Sequence, residues 1–286
     1  MRRSPAERLR HSSFIARLII ARLMIARLMI ALLICASQPR ASADPIPVRH
    51  VEGTVHGFLA VRSKEGQVRA VGDLFQVVRG DRVISRLVFR FKDGSVDDET
   101  TVFTQHGNFQ LITDHHIQKG PSFPQPMDLS IDVPSGQVTV RSTGKDGKEE
   151  VHSEHLDLPP DLVNGLILSI AKNIPPETPE TKVSMVVVTP KPRLVKVAIS
   201  PQGEEPFSLV GSRRKAVRFK LKIELGGVAG VVAPLIGKAP PEIQIWITGG
   251  QAPAFVREEG PLYQGGPDLT IQLTSPIWPD LPHSGF

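Results

Sequence analysis

Between residues 54 and 274 the chain repeats one pattern, an apolar-rich run of about six to twelve residues followed by a glycine, proline or Asp-Gly type of turn. Runs this short, rich in β-branched residues and alternating polar with apolar positions, suit a pleated surface better than a helix. Strands are predicted at 54–62, 67–78, 82–92, 95–105, 108–118, 127–133, 136–143, 148–156, 181–189, 192–200, 214–225, 241–248, 253–258 and 268–274. Asp93-Gly94, His106-Gly107, Ser135-Gly136 and Asp146-Gly147 fall in hairpin positions, so neighbouring strands should pair antiparallel. The 24 glycines and 26 prolines punctuate these runs and form no low-complexity tract.

One segment breaks the series. In PPDLVNGLILSIAKNIPP, Leu162, Leu166 and Ile170 with Val163 and Ile167 make an apolar stripe at helical spacing. Pro160 suits a first helical turn, and Pro175 and Pro176 stop it. An amphipathic helix at about 160–173 follows, and a single helix among so many strands must lay its stripe on the sheet. The expected fold is mainly β: a curled, largely antiparallel sheet, a half-barrel or open barrel, wrapped on that helix. No internal repeat or long linker divides residues 44–286, which read as one domain with a proline-rich seam at 174–180 and a loose tail from 279.

The N-terminus has a different character. Arg17, Arg22 and Arg27 recur every five residues and so ring a helix, which suits neither a membrane span nor an interfacial helix. Only Leu28 to Ala36 is free of charge, and Ala41-Ser42-Ala43 follows in the spacing of a processing site. Residues 1–43 are therefore expected to be a signal peptide cleaved after Ala43, with Met1 or Met24 as the start. Lipidation at Cys35 is the rival, but Ile34 precedes the cysteine where a small residue is wanted. Removal of this segment takes eight of the 34 basic residues and one of the 29 acidic ones, leaving 26 against 28. The sequence pI of about 9.5 thus belongs to the leader, and the remainder lacks the basic footprint of a nucleic-acid binder. Cys35 is the only cysteine, so thiolate chemistry and disulfides are absent from the expected mature chain. Localisation is read as exported, periplasmic or extracellular, with membrane contact only through the signal segment.

The run of hairpins, the helix after HLDLPPDL, the stretch SMVVVTPKPRLVKVAISPQG and the late strand carrying Trp246 resemble a family of exported bacterial proteins with a domain of unknown function. The resemblance covers roughly residues 50–278. It implies a curved half-barrel, distantly similar to periplasmic lipoprotein carriers and lipocalin-like barrels, able to hold an apolar ligand. The family supplies no catalytic residues to carry over.

Motifs of established chemistry are missing. GGVAGVVAPLIGK at 226–238 lacks the first glycine and the hydroxyl of a phosphate loop, and Pro234 interrupts its amides. It reads as a pliable apolar loop beside the sheet. Arg213-Arg214-Lys215 reads as a solvated turn, and no G-x-S-x-G, H-E-x-x-H or EF-hand spacing occurs. His115 and His116 are strand neighbours that point to opposite faces, which argues against a shared metal. If His106-Gly107 is a two-residue turn, Asp98 lies opposite His115; a turn at Gly107-Asn108 makes them diagonal, still on one face. That face is expected to be the inner one, shared with Leu87, Phe89, Phe91 and Leu111. Asp97, Glu99 and His116, with Arg86 and Arg90, are assigned to an outer ion-pair surface. The expected ligand-binding residues are Asp98, His115, Phe89, Leu111 and Trp246, with no catalytic residue, metal or cofactor. The leading reading of function is non-catalytic binding or carriage of an apolar molecule or lipid in the cell envelope. The alternative is an interaction protein docking a partner through a sheet edge or the 226–238 loop, and the third is an enzyme using Asp98 and His115.

Overall fold

The computed structural model describes residues 45–143, 149–188, 191–209, 212–224 and 242–275. The expected signal segment 1–43, the expected Asp146-Gly147 turn, the 226–238 stretch and the tail from 279 lie outside the described residues. All fourteen expected strands are present: β1 (Val55–Arg62), β2 (Val68–Arg79), β3 (Arg82–Phe91), β4 (Val96–His106), β5 (Asn108–Lys119), β6 (Met127–Asp132), β7 (Gln137–Thr143), β8 (Glu149–His155), β9 (Thr181–Val188), β10 (Pro192–Leu209), β11 (Ser212–Glu224), β12 (Glu242–Thr248), β13 (Phe255–Gly260) and β14 (Leu269–Leu273). Only β10 departs much from its expected length. It continues to Leu209 by absorbing an irregularity between Pro201 and Glu204, where Gly203 takes a φ of 97°.

The strands form one antiparallel sheet in the order β8-β7-β6-β5-β4-β3-β2-β1-β14-β13-β12-β11-β10-β9. Two meanders, β1 to β8 and β9 to β14, meet where β1 pairs with β14, and β8 and β9 are the two edges. The sheet is therefore not closed into a barrel, but it curls. Gln118 at the end of β5 donates to the carbonyl of Leu262, at 3.0 Å, and the Phe123 and Tyr263 rings meet at 5.7 Å, although five strands separate β5 from β13 in the sheet order. Curling gives a concave face that a single element can cover.

That element is the helical segment, and it differs from the sequence expectation. The helix α1 spans only Ile167–Asn173. Residues 161–164 run beside β9 instead, where Ser184 N–H donates to Asp161 O, Val163 N–H to Ser184 O, and the Asn164 amide pairs with both N–H and C=O of Val186. Gly165, at a φ of 67°, turns the chain from this edge into α1. The stripe nonetheless packs inward: Leu162, Val163, Leu166 and Ile170 are buried with Phe103, Phe109, Leu111, Ile131, Phe219 and Ile245 in the main core, and Ile167 is partly buried against it. Apolar spacing alone fits a helix or an extended stretch followed by a turn, because both bury the same side chains.

A strap at 46–53 ties the helix to one end of the sheet. Pro47 bridges to Asn108, Asn173 Oδ1 accepts the Arg49 and His50 amides at 2.7 Å each, and Lys172 pairs with the buried Glu52.

Candidate functional site

The register of β3, β4 and β5 decides which side chains enter the concavity, and turn length sets it. The turn after β3 holds three residues, Lys92, Asp93 and Gly94: Phe91 N–H donates to Ser95 O and Gly94 has a φ of 85°. Phe89 thus faces Asp97, and Leu87 faces Glu99. A second shift, a bulge at Ile112, separates the Phe103–Leu111 pair from the Val102–Thr113 pair. A one-residue shift moves every following side chain to the other face.

Three rows of inward residues result. Leu59, Gly72, Phe89, Asp97 and Gln118 form one row across β1 to β5, and it is buried throughout. Gln76, Ser85, Thr101, Asp114 and Ile131 form another, in which all but Ser85 are buried. Between them lies Gly57, Leu74, Leu87, Glu99 and His116, in register on five adjacent strands and each partly accessible. Glu99 and His116 keep 26% and 22% of their side-chain surface accessible. Because they point inward, that surface opens on the concave side. The row borders a smaller cluster of Leu59, Val61, Ala70, Phe89, Leu269 and Ile271, against which its Leu74 and Leu87 pack.

The polar groups along this gap interact. His116 Nε2 pairs with Asp97 Oδ1 at 2.7 Å, and Gln118 Nε2 donates to Asp97 Oδ2 at 3.0 Å. His116 Nδ1 stands 3.9 Å from Glu99. Thr101 donates to Asp114 Oδ1 at 2.9 Å, while Asp114 Oδ2 has no hydrogen-bond partner among the described residues. Glu258 of β13, opposite Ile245 and Ile271, faces the same space from across the curl. Burial pushes the Asp114 carboxyl up to about 8, with the Glu99 charge adding to it. Burial and then the Asp97 charge push Glu258 up to about 7. Glu99 is raised by burial, which His116 only partly offsets. Burial alone would lower His116, but the Asp97 hydrogen bond and the surrounding acids outweigh it and raise the imidazole to about 9.

The expected site residues are divided. Phe89 and Leu111 do face inward, but in different clusters. Asp98 and His115 lie on the convex face, diagonal to one another, with Asp98 opposite Ile117 and His115 opposite Thr100. Asp98 takes a two-pronged hydrogen bond from Arg86, at 2.9 and 2.6 Å, and His115 pairs with Asp128 at 2.9 Å. Trp246 is also on the convex side, buried beneath Arg257, whose guanidinium is 4.0 Å from the ring, and bonded through Nε1 to Glu205. Asp97, Glu99 and His116, expected outside, are the inward groups. The sequence does place these three on one face of the hairpin; what it lacks is the turn length that says which face is covered.

Other concavities do not include the row. Clefts of about 180 Å³ beside Arg49, Lys172 and Thr248, and of about 450 Å³ beside Lys64, Arg69 and Asp268, lie at the two ends of the sheet. Among the described residues no three His, Asp or Glu side chains converge as the ligands of a metal would.

Fold and site together define an open, curled antiparallel β domain with an acid-imidazole row in its concavity. No family model and no curated protein matches the sequence. A solved structure, a beta-barrel-like protein of a domain of unknown function from Brucella abortus, is similar at a TM-score of 0.43 and 9% identity, covering 80% of this chain and 100% of its own.

Proposed function

We propose that the protein is a non-catalytic binding protein of the cell envelope that holds a small amphipathic molecule against the concave face of its sheet. The observation that supports this is the partly accessible row Gly57, Leu74, Leu87, Glu99 and His116 between two buried rows. A ligand site typically combines a mostly apolar lining with a few converging polar groups. Here Leu74 and Leu87 supply the lining, and Glu99, His116 and Glu258 supply the anchors. The envelope location rests on residues 1–43, whose charged start, short apolar core and Ala-Ser-Ala end fit an export signal.

Native mass spectrometry with organic extraction of the protein purified from its own cells should release a stoichiometric small molecule. A fluorescent naphthylamine probe should bind the extracted protein saturably, and Leu87→Glu should abolish that binding while the β-sheet circular dichroism persists. Absence of both a bound molecule and saturable uptake would sink the reading. N-terminal sequencing of the same material should begin at Asp44; a chain retaining Met1 would remove the envelope location.

A further inference from the structure

We infer that the polar end of the molecule held in this row is an organic ammonium group, so that the ligand is a cationic amphiphile. The inference rests on the row being a ligand groove and adds the charge of what enters it. The titratable groups facing the gap are Asp97, Glu99 and Asp114, His116 and, from the opposite side, Glu258. Four are carboxyls and one is a potential cation. His116 is engaged by Asp97 at 2.7 Å and lies 3.9 Å from Glu99, and among the described residues neither Asp114 nor Glu258 has a cation within ion-pair distance. Asp114 is 2% exposed, and its Oδ2 accepts no hydrogen bond. A buried polar atom in that state costs free energy until a partner arrives.

The ligand chemistries differ in how they meet that need. A carboxylate or phosphate head would face like charge in a medium of low dielectric. An alcohol brings a single O–H donor and no charge. An ammonium brings three N–H donors and one positive charge, while its alkyl chain has Leu74 and Leu87 beside Glu99 to lie on. The carboxyls that burial keeps protonated would then give up a proton to the buffer as the cation takes its place, and charge within the row stays balanced.

Isothermal titration of the purified protein at about pH 8 with dodecylamine, 1-dodecanol and dodecanoate, each below its micellar concentration, tests this. Dodecylamine should bind about tenfold or more tightly than dodecanol, the worth of one charge-assisted hydrogen bond, with dodecanoate weakest. Its apparent heat should change with the ionisation enthalpy of the buffer in the sense of proton release. Glu258→Gln, which removes a charge but breaks no hydrogen bond, should narrow the preference for amine over alcohol while the β-sheet circular dichroism persists. Dodecanol or dodecanoate binding as tightly as the amine would overturn the ammonium assignment and leave the groove reading in place. Failure of all three to bind would overturn the groove reading itself.

Discussion

At the scale of single residues, the inward acids make the protein a base-sensitive fold. Glu258 and Asp114, raised to about 7 and about 8, keep protons that the unfolded chain gives up near its ordinary carboxyl values of 4.5 and 3.8. Their stabilising contribution is whole below the unfolded values and is lost as pH climbs through the folded ones. His116, raised from 6.5 to about 9, acts in the same direction over a higher window. The melting temperature should therefore be highest in mildly acidic buffer and fall from about pH 5 to about pH 9. Glu258→Gln should flatten the part below pH 7, a contribution on the order of 2 to 3 kcal/mol. A melting temperature that rose over that range would contradict the burial of these groups. A second prediction concerns Gly165. Its φ of 67° and the closeness of Thr101 Oγ1 and Asp114 Oδ1, which a Cβ would overlap, leave no room for a side chain. Gly165→Ala should cost about 3 kcal/mol or more in urea unfolding, well above the effect of the same change at the open turn residue Gly80.

Among elements, the two sheet edges are treated differently. The β9 edge is covered by residues 161–164, where Asn164 accepts from Val186 N–H at 2.8 Å and donates to Val186 O at 2.9 Å in place of a neighbouring strand. Asn164→Ala should leave both groups buried and unpaired and lower stability by about 2 to 4 kcal/mol, with slower-protected amides of β9 becoming fast in hydrogen exchange. The β8 edge is instead exposed and carries Glu149, Glu150, His152 and Glu154, side chains that discourage the addition of a foreign strand. That argues against docking through this edge. Strand positions were legible in the sequence because alternation and turn residues act within a few residues of each other. Register was not. Asp93-Gly94 reads equally as a two- or a three-residue turn, and the bulge at Ile112 has no glycine to announce it. These one-residue differences exchange Asp98 for Asp97 and His115 for His116 as inward groups. The apolar stripe from Leu162 to Ile170 was legible as a buried segment, but its first half owes its shape to the β9 edge, which lies some twenty residues further along the chain. Trp246 gave no sign of its face until Arg257 and Glu205 were seen to cover it.

For the whole molecule, the pairing of β1 with β14 closes the longest loop in the fold. Leu59 meets Leu273 across about two hundred residues of chain, whereas within each meander every strand pairs with its sequence neighbour. Contacts between sequence neighbours can form early, but this seam must wait for both halves, because the entropy of closing so long a loop precedes any reward from its contacts. The seam should therefore be absent from the folding transition state. Ile271, opposite Val61 and Glu258, reports on it: Ile271→Ala should lower stability by about 2 to 4 kcal/mol, and stopped-flow chevrons should place nearly all of that loss in faster unfolding with refolding unchanged. Equal changes in both limbs would mean that the meanders do not fold first. If they do, the lifetime of the folded protein is set by how tightly one pair of strands in mid-sheet holds, like a zip fastened last.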